Sequence, residues 1–124
     1  MHEVTNDRFL RQRDLVPNER LQDCRATVIG VGAVGRNGAI QLASIGTPCL
    51  QLIDFDHVNL LNTTTQGYAV DEIGMPKVQA VEATIRRLDP SIVVETIEDR
   101  NRSSEILCSA VSIRSPLALL FGAL

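Results

Sequence analysis

The chain has 124 residues and carries a formal net charge of −3 at pH 7. This length predicts one small domain, so residues 1–124 are treated as a single unit that begins with a helical arm over residues 1–20. The net negative charge argues against a strongly basic surface of the kind that binds nucleic acids and anionic membranes. We therefore expect neither as a partner. No apolar run approaches the roughly 20 residues that a membrane-spanning helix needs.

The sequence predicts helices and strands that alternate along the chain. In chain order, the predicted elements are a helix over 5–13, a strand over 26–30, a helix over 33–45, a strand over 49–54, an irregular segment over 55–75, a helix over 76–88, and strands over 92–97 and 106–113. Alternation of this kind is typical of βαβ units and a parallel sheet. We therefore predict an α/β, Rossmann-like three-layer domain with a mostly parallel sheet of order 3-2-1-4, truncated after about four strands.

Apolar residues at helical spacing predict which face of each long helix is buried. In the helix over 33–45 these residues are Val34, Ala39 or Ile40, Leu42 and Ile45. In the helix over 76–88 they are Val78, Val81, Ile85 and Leu88.

Three cysteines stand far apart, at Cys24, Cys49 and Cys108. None belongs to a C-x-x-C pair, so we expect no zinc site built from this chain. Each lies in or beside an apolar run and is interpreted as a small buried hydrophobe rather than a nucleophile. Sparse thiols without a signal peptide indicate a reducing compartment, and we expect a cytoplasmic protein.

A glycine motif, G-x-G-x-x-G, follows the first predicted strand at Gly30, Gly32 and Gly35. The first glycine allows a tight turn, the second lets a phosphate approach the backbone, and the third lets the helix pack on the strand. The following helix offers unpaired N–H groups and the positive end of its dipole. The motif therefore predicts a phosphate site, with a tight turn that binds no ligand as the alternative.

Asp54 ends the second predicted strand and is suited to accept hydrogen bonds from the two hydroxyls of a ribose. An acid at this place predicts a nucleotide with a free 2′-hydroxyl. It does not distinguish NAD from ATP.

The segment that follows Asp54 does distinguish the two nucleotides. It holds a second acid, Asp56, two amides, Asn62 and Gln66, and ends at Lys77. A long loop in so small a domain is usually functional, and a lysine beside a phosphate loop suits a polyphosphate better than a nicotinamide. Structural alternatives remain, because Asp56 could cap the loop and Asn62 could form an Asx turn.

Four motifs in this order resemble the ThiF/MoeB/HesA family, the adenylation domains of enzymes that activate ubiquitin-like proteins. The motifs are RFLRQ at 8–12, GVGAVG at 30–35, DFDHVNLLN with Gln66 at 54–66, and GMPKVQAVEATIRRLDP at 74–90. The resemblance implies Mg-ATP as cofactor and, as substrate, the C-terminal carboxylate of a ubiquitin-like or sulfur-carrier protein, which is joined to AMP as pyrophosphate leaves.

The resemblance also implies a role for each candidate residue. Asp54 would hold the ribose, with Asp56 beside it, and Asn62 and Gln66 would line the phosphates. Lys77 would neutralise the leaving pyrophosphate. Arg11 would reach the ATP of a partner subunit in a homodimer. Lys77 and Arg11 are thus the candidate catalytic residues.

Three features depart from the family pattern. Thr65 stands where the family usually has an arginine, and Val111 where it has the aspartate that binds magnesium, so we assign no metal ligand. The sequence ends at Leu124 with the apolar stretch PLALLFGAL, which we expect to pack as a helix on the sheet or to form an interface. A truncated or frame-shifted gene would produce such an end, and translation of the other two reading frames tests this hypothesis.

Three functions remain open from the sequence. The first is an ATP-binding adenylation domain, which truncation could leave inactive. The second is an NAD-binding dehydrogenase module, which the glycine motif and Asp54 support equally but which gives residues 56–77 no purpose. The third is a non-catalytic remnant that dimerises, which Thr65 and Val111 favour.

Overall fold

The computed structural model of this chain describes residues 8–98 and 118–119. The helices are α1 (Asn18–Leu21), α2 (Ala33–Ser44), α3 (Asn62–Thr65) and α4 (Lys77–Leu88), and the strands are β1 (Arg25–Ile29), β2 (Cys49–Ile53), β3 (Val93–Ile97) and β4 (Ala118–Leu119). A single 3-10 turn covers Val70–Glu72. Within these residues, no helix has the length and apolar character needed to cross a membrane.

The strands form one parallel sheet in the order β3-β2-β1-β4. This confirms the α/β, Rossmann-like class and the predicted order of the first three strands. The predicted strand over 106–113 lies outside the described residues. The strand that pairs with β1 is instead Ala118–Leu119, so the expectation of a helix is wrong at these two residues. Pairing with β1 satisfies backbone groups that an open sheet edge would leave exposed.

The two long helices contact each other and lie on one face of the sheet. Helix α4 buries Val78, Val81 and Ile85 as predicted, whereas Leu88 at its end is 42% exposed. The predicted three-layer arrangement stays a prediction for the opposite face.

The buried face of helix α2 agrees only in part with the predicted one, because Ala39 is buried as predicted and Leu42 packs half-buried against the core, but small residues occupy the most buried positions. Its buried residues are Gly35, Ala39 and Ala43, spaced four apart, while Val34 is 63% exposed. Small side chains on the inner face let the helix axis approach β1 closely. A Cβ atom at Gly35 would lie 1.7 Å from the carbonyl oxygen of Gly30, so only glycine permits this approach.

The N-terminal segment is held against the C-terminal end of α2. Residues 9–15 form turns rather than the predicted helix. Gln12 donates to the carbonyl of Ile45 at 2.6 Å, and the Phe9 ring lies where a side chain on Gly46 would be. These contacts satisfy a carbonyl that the helix end leaves without a partner, which outweighs the helical preference of the segment.

The same segment makes an ion pair with the end of α4. Arg8 donates to one carboxylate oxygen of Asp89 at 2.9 Å, and Ser91 donates to the other from its backbone and hydroxyl. Burial alone would raise the pKa of Asp89, but the hydrogen bonds from Ser91 and the charge of Arg8 outweigh it and lower the pKa. Asp89 therefore stabilises the fold in its charged form.

Replacing Gly35 with alanine should destabilise the chain by about 3 kcal/mol, because backbone must move to admit the new methyl group. Gly74→Ala is the control for steric crowding, since no heavy atom lies within 4 Å of a Cβ added at Gly74, although this glycine, unlike Gly35, has a positive φ of 92°. It should cost only the backbone strain of about 1 kcal/mol. Urea unfolding of both variants measures the difference, and equal losses would contradict the close approach.

The Asp89→Asn substitution should destabilise the chain at neutral pH and lose its effect in acid. A carboxyl with a lowered folded pKa stabilises above its unfolded value of about 4, and this contribution disappears as the pH falls through the folded pKa. Unfolding free energies of both proteins across this range test the prediction, with the exposed Asp71→Asn as control. A difference that stays constant down to the acid limit would contradict it.

Candidate functional site

The candidate site lies at the carboxyl ends of β1 and β2, where the glycine motif and Asp54 meet. Gly30 turns the chain with a φ of 81°, and its N–H donates to the carbonyl of Ile53 at 2.8 Å. Helix α2 then begins after Gly32, and no side chain caps it. The amides of its first turn therefore point out of the helix without an intrahelical partner, which is the usual setting for an anion.

Val31, between the first two glycines, is held through both of its backbone groups. Its N–H donates to Asp54 Oδ2 at 2.9 Å, and its carbonyl accepts the hydroxyl of Tyr68 at 2.5 Å. The other oxygen of Asp54 accepts the N–H of Asp56 at 2.8 Å. Asp54 thus links the glycine loop to the segment after β2 by accepting a hydrogen bond from each.

Residues 55–75 are not irregular throughout, because they contain α3 and the 3-10 turn. Their ends are joined by an antiparallel bridge between His57 and Pro76 and by the hydrogen bond from Val58 N–H to the Met75 carbonyl at 2.8 Å. The segment therefore leaves β2 and returns beside it. This return brings Lys77 next to Asp56.

Lys77 is buried, with 8% of its side chain exposed. Its ammonium nitrogen lies 4.0 Å from Asp56 Oδ2, and that carboxylate is 56% exposed. A distance of 4.0 Å is too long for a hydrogen bond. A buried ammonium normally needs closer partners, so the contact leaves Lys77 able to take an anion.

The two amide residues have different surroundings. Asn62 is buried, and its Oδ1 accepts the N–H of Asn59 while its own N–H donates to Asn59 Oδ1. Asn62 therefore has a structural role, but not as an Asx turn, because its oxygen accepts the N–H of a preceding residue in a reciprocal pair like a capping box. Gln66 differs, because its Oε1 is buried and has no hydrogen-bond partner among the described residues. A buried amide oxygen without a donor is a position that a ligand could satisfy.

Sequence reasoning missed two residues of this site, Arg36 and Tyr68. The Arg36 guanidinium lies over the Tyr68 ring, 5.4 Å from its centroid. Burial, and secondly the charge of Asp54, raise the pKa of the Tyr68 phenol. Arg36 could have been found in the sequence, because it is a cation in the first turns of α2, where the helix dipole disfavours one.

Some predicted features are not brought together with the others. Arg11 is exposed on the N-terminal segment, and its side chain forms no hydrogen bond, ion pair or ring contact with another described residue. Val111 and Cys108 lie outside the described residues. Cys24 and Cys49 are free thiols, and both are half-buried. Within the described ranges, no group of three or more metal-ligating side chains occurs.

Comparison with known proteins identifies the family of this chain. Residues 7–123 match the ThiF family. The chain belongs to that family. It is 36% identical over 88 residues to ubiquitin-like modifier-activating enzyme 5 of Branchiostoma floridae, which covers 70% of this chain and 22% of that protein. It is 35% identical over 90 residues to molybdopterin-synthase adenylyltransferase of Escherichia coli, covering 72% and 36%.

Solved structures of this family share the fold. The E. coli tRNA N6-threonylcarbamoyladenosine dehydratase TcdA, in complex with ATP, superposes with a TM-score of 0.78 at 28% identity, covering 92% of this chain and 48% of that one. The same enzyme has also been solved with AMP, with a TM-score of 0.79. This ThiF family chain therefore spans less than half the length of these relatives.

The raised pKa of Tyr68 predicts that the folded chain resists ionisation of this phenol. Because Tyr68 is the single tyrosine and the chain has no tryptophan, tyrosinate absorbance reports on it alone. A raised folded pKa stabilises below the unfolded value of about 10 and loses its contribution as the pH rises further. We expect the absorbance to rise only as the chain unfolds, which circular dichroism of the same sample would detect.

Tyr68→Phe provides the control for this titration. It should cost about 1 kcal/mol at neutral pH through the lost hydrogen bond to Val31, and that cost should shrink above the unfolded pKa. Ionisation at the ordinary pH with the fold intact would contradict the prediction.

Proposed function

We propose that this chain is an ATP-binding adenylation domain that acts on the C-terminal carboxylate of a ubiquitin-like or sulfur-carrier protein. The observation that carries the proposal is that uncapped first-turn amides of α2 and the buried ammonium of Lys77, all suited to phosphate oxygens, lie at the same end of the sheet. Gln66 Oε1, which has no partner among the described residues, is an acceptor and would suit a hydroxyl or amino donor of the nucleotide. Relatives named as ubiquitin-like modifier-activating enzyme and molybdopterin-synthase adenylyltransferase support the reaction class.

In the proposed reaction, the carboxylate of the carrier protein attacks the α-phosphorus of ATP. The new bond joins the acyl oxygen to phosphorus, and the bond to the β-phosphate oxygen breaks, so that pyrophosphate leaves with the bonding electrons. Lys77 and the amides of the glycine loop would neutralise the charge that gathers on the phosphate oxygens. Reactions of this kind depend mainly on positioning and charge stabilisation, which fixed donors supply without reorganisation.

Asp54 can hold a ribose although both of its oxygens already accept backbone N–H groups. A carboxylate offers about four lone-pair positions, and two of them are used by Val31 and Asp56. These hydrogen bonds fix the orientation of the carboxylate. A ribose diol would then meet a preorganised acceptor.

The described residues do not by themselves form a magnesium site. Asp56 is the exposed carboxylate beside Lys77, and Mg²⁺ commonly combines one or two carboxylates with phosphate oxygens and waters. We therefore assign no step to the metal. Whether ATP binding depends on Mg²⁺ is measured directly in the titration below.

Arg11 would act in a second subunit of a homodimer. The support for this assignment is that the segment carrying Arg11 is held through Arg8 and Gln12, while the Arg11 side chain forms no hydrogen bond or ion pair with the described residues. An exposed cation on a fixed segment is available to a neighbouring molecule.

Calorimetric titration with ATP, with and without Mg²⁺, tests the proposal, and NAD provides the parallel arm. We expect ATP to bind and NAD not to bind. Lys77→Gln should weaken ATP binding about tenfold or more, because a hydrogen bond to a charged group is worth about 1.5–3 kcal/mol. Arg87→Gln is the matched control, since Arg87 is exposed at the other end of the same helix and the charge change is equal.

The catalytic part of the proposal needs a separate assay. Exchange of labelled pyrophosphate into ATP should require a ubiquitin-like or sulfur-carrier protein with a free C-terminal carboxylate. The same carrier ending in a carboxamide should give no exchange. A chain that binds NAD in preference to ATP would overturn the proposal, and ATP binding without exchange for any carrier would reduce it to nucleotide binding.

A further inference from the structure

Arg36 lies at the edge of the glycine loop, and its guanidinium occupies the space beside Gly67, which has no side chain. Its guanidinium lies over the Tyr68 ring. A Cβ atom on Gly67 would stand 2.9 Å from Arg36 Nη1, so a side chain at residue 67 would displace the guanidinium. Gly67 also has a φ of 82°, which turns the chain between Gln66 and Tyr68.

The charge of Arg36 is not neutralised by an ion pair. Within residues 8–98, the guanidinium has no carboxylate within 4.0 Å, whereas Arg8, Arg25 and Arg86 are each paired with an acid. Arg36 is the fourth residue of α2, where the positive end of the dipole disfavours a cation. The fold therefore keeps a partly buried cation in a place that is electrostatically unfavourable without an anion.

The direction of the side chain brings this cation towards the phosphate loop. Side chains of an α-helix tilt towards its N-terminus, which here is the end formed by Gly32. The Tyr68 hydroxyl, at the far edge of the ring beneath Arg36, is bonded to the carbonyl of Val31 in that loop.

We propose that Arg36 binds the phosphate oxygens of the nucleotide through its guanidinium, as a second cation beside Lys77. The inference rests on the proposed function, because it names a further binding residue of the same site. Thr65 cannot take this role, since it is uncharged and its hydroxyl donates to the carbonyl of Leu61 at 2.8 Å. Arginine suits the task because its planar fork binds phosphate with two parallel hydrogen bonds while it stacks on an aromatic ring.

The test compares Arg36→Gln with the matched control Arg87→Gln in calorimetric titrations. The probes are ATP, inorganic tripolyphosphate and adenosine. We expect Arg36→Gln to weaken ATP and tripolyphosphate binding about tenfold or more and to leave adenosine binding unchanged. The control should leave all three unchanged. Equal binding of ATP by Arg36→Gln and the unsubstituted chain would overturn the inference, and so would an equal loss for ATP and adenosine.

Arg36→Lys separates geometry from charge. It keeps a positive charge but loses the planar fork, so it should restore only part of the tripolyphosphate affinity. Full restoration would show that a point charge suffices and would overturn the role assigned to the guanidinium fork.

A second measurement uses the unsubstituted chain and does not depend on the stability of Arg36→Gln. The side-chain Nε–H resonance of Arg36, identified by its loss in Arg36→Lys, should shift when tripolyphosphate is added and stay in place with adenosine. An unchanged resonance at saturating tripolyphosphate would overturn the inference. If the unsubstituted chain binds neither ATP nor tripolyphosphate, the proposed function fails with it, whereas ATP binding without any Arg36 effect removes this inference alone.

Discussion

The site depends on the way one residue of the glycine loop is held from two sides. The N–H of Val31 donates to the carboxylate of Asp54, and the carbonyl of Val31 accepts a hydrogen bond from the hydroxyl of Tyr68. Both partners are buried. A loop with open backbone amides binds an anion well only if it does not have to be ordered at the moment of binding. These two hydrogen bonds fix the loop before any ligand arrives. They also couple it to the segment after β2, because Asp54 binds Asp56 as well.

The second organising feature is that two cationic side chains, Lys77 and Arg36, lie in the site without a hydrogen-bonded carboxylate among the described residues. Lys77 is buried with its nearest described acid 4.0 Å away, and Arg36 stacks on Tyr68 without an ion pair in the described part of the chain. Both cations sit near helix N-termini, where the dipole adds to the electrostatic cost. A triphosphate would remove that cost at both places.

The remote end of the domain has a different role. Arg8, Gln12 and Phe9 fix the N-terminal segment to the ends of α2 and α4, on residues that are far from the glycine loop in sequence. This contact positions the segment that carries Arg11, although the Arg11 side chain itself forms no hydrogen bond or ion pair with the described residues. The ion pair of Arg8 with Asp89 therefore stabilises the fold away from the glycine loop, so its substitution tests stability without changing a candidate binding residue.

The sequence by itself determined the element order, the parallel sheet and the glycine loop, because hydrophobic periodicity and turn chemistry are local properties. It also identified Asp54, Asp56 and Lys77, which the structure brings together. The buried face of α2 was decided by tertiary packing, since small residues allow a closer approach than the large ones that dominate periodicity. Tyr68 lies 37 residues from Val31, and Arg36 meets it only across the fold. Contacts over such separations depend on which segments the sheet places side by side, and no local pattern encodes that.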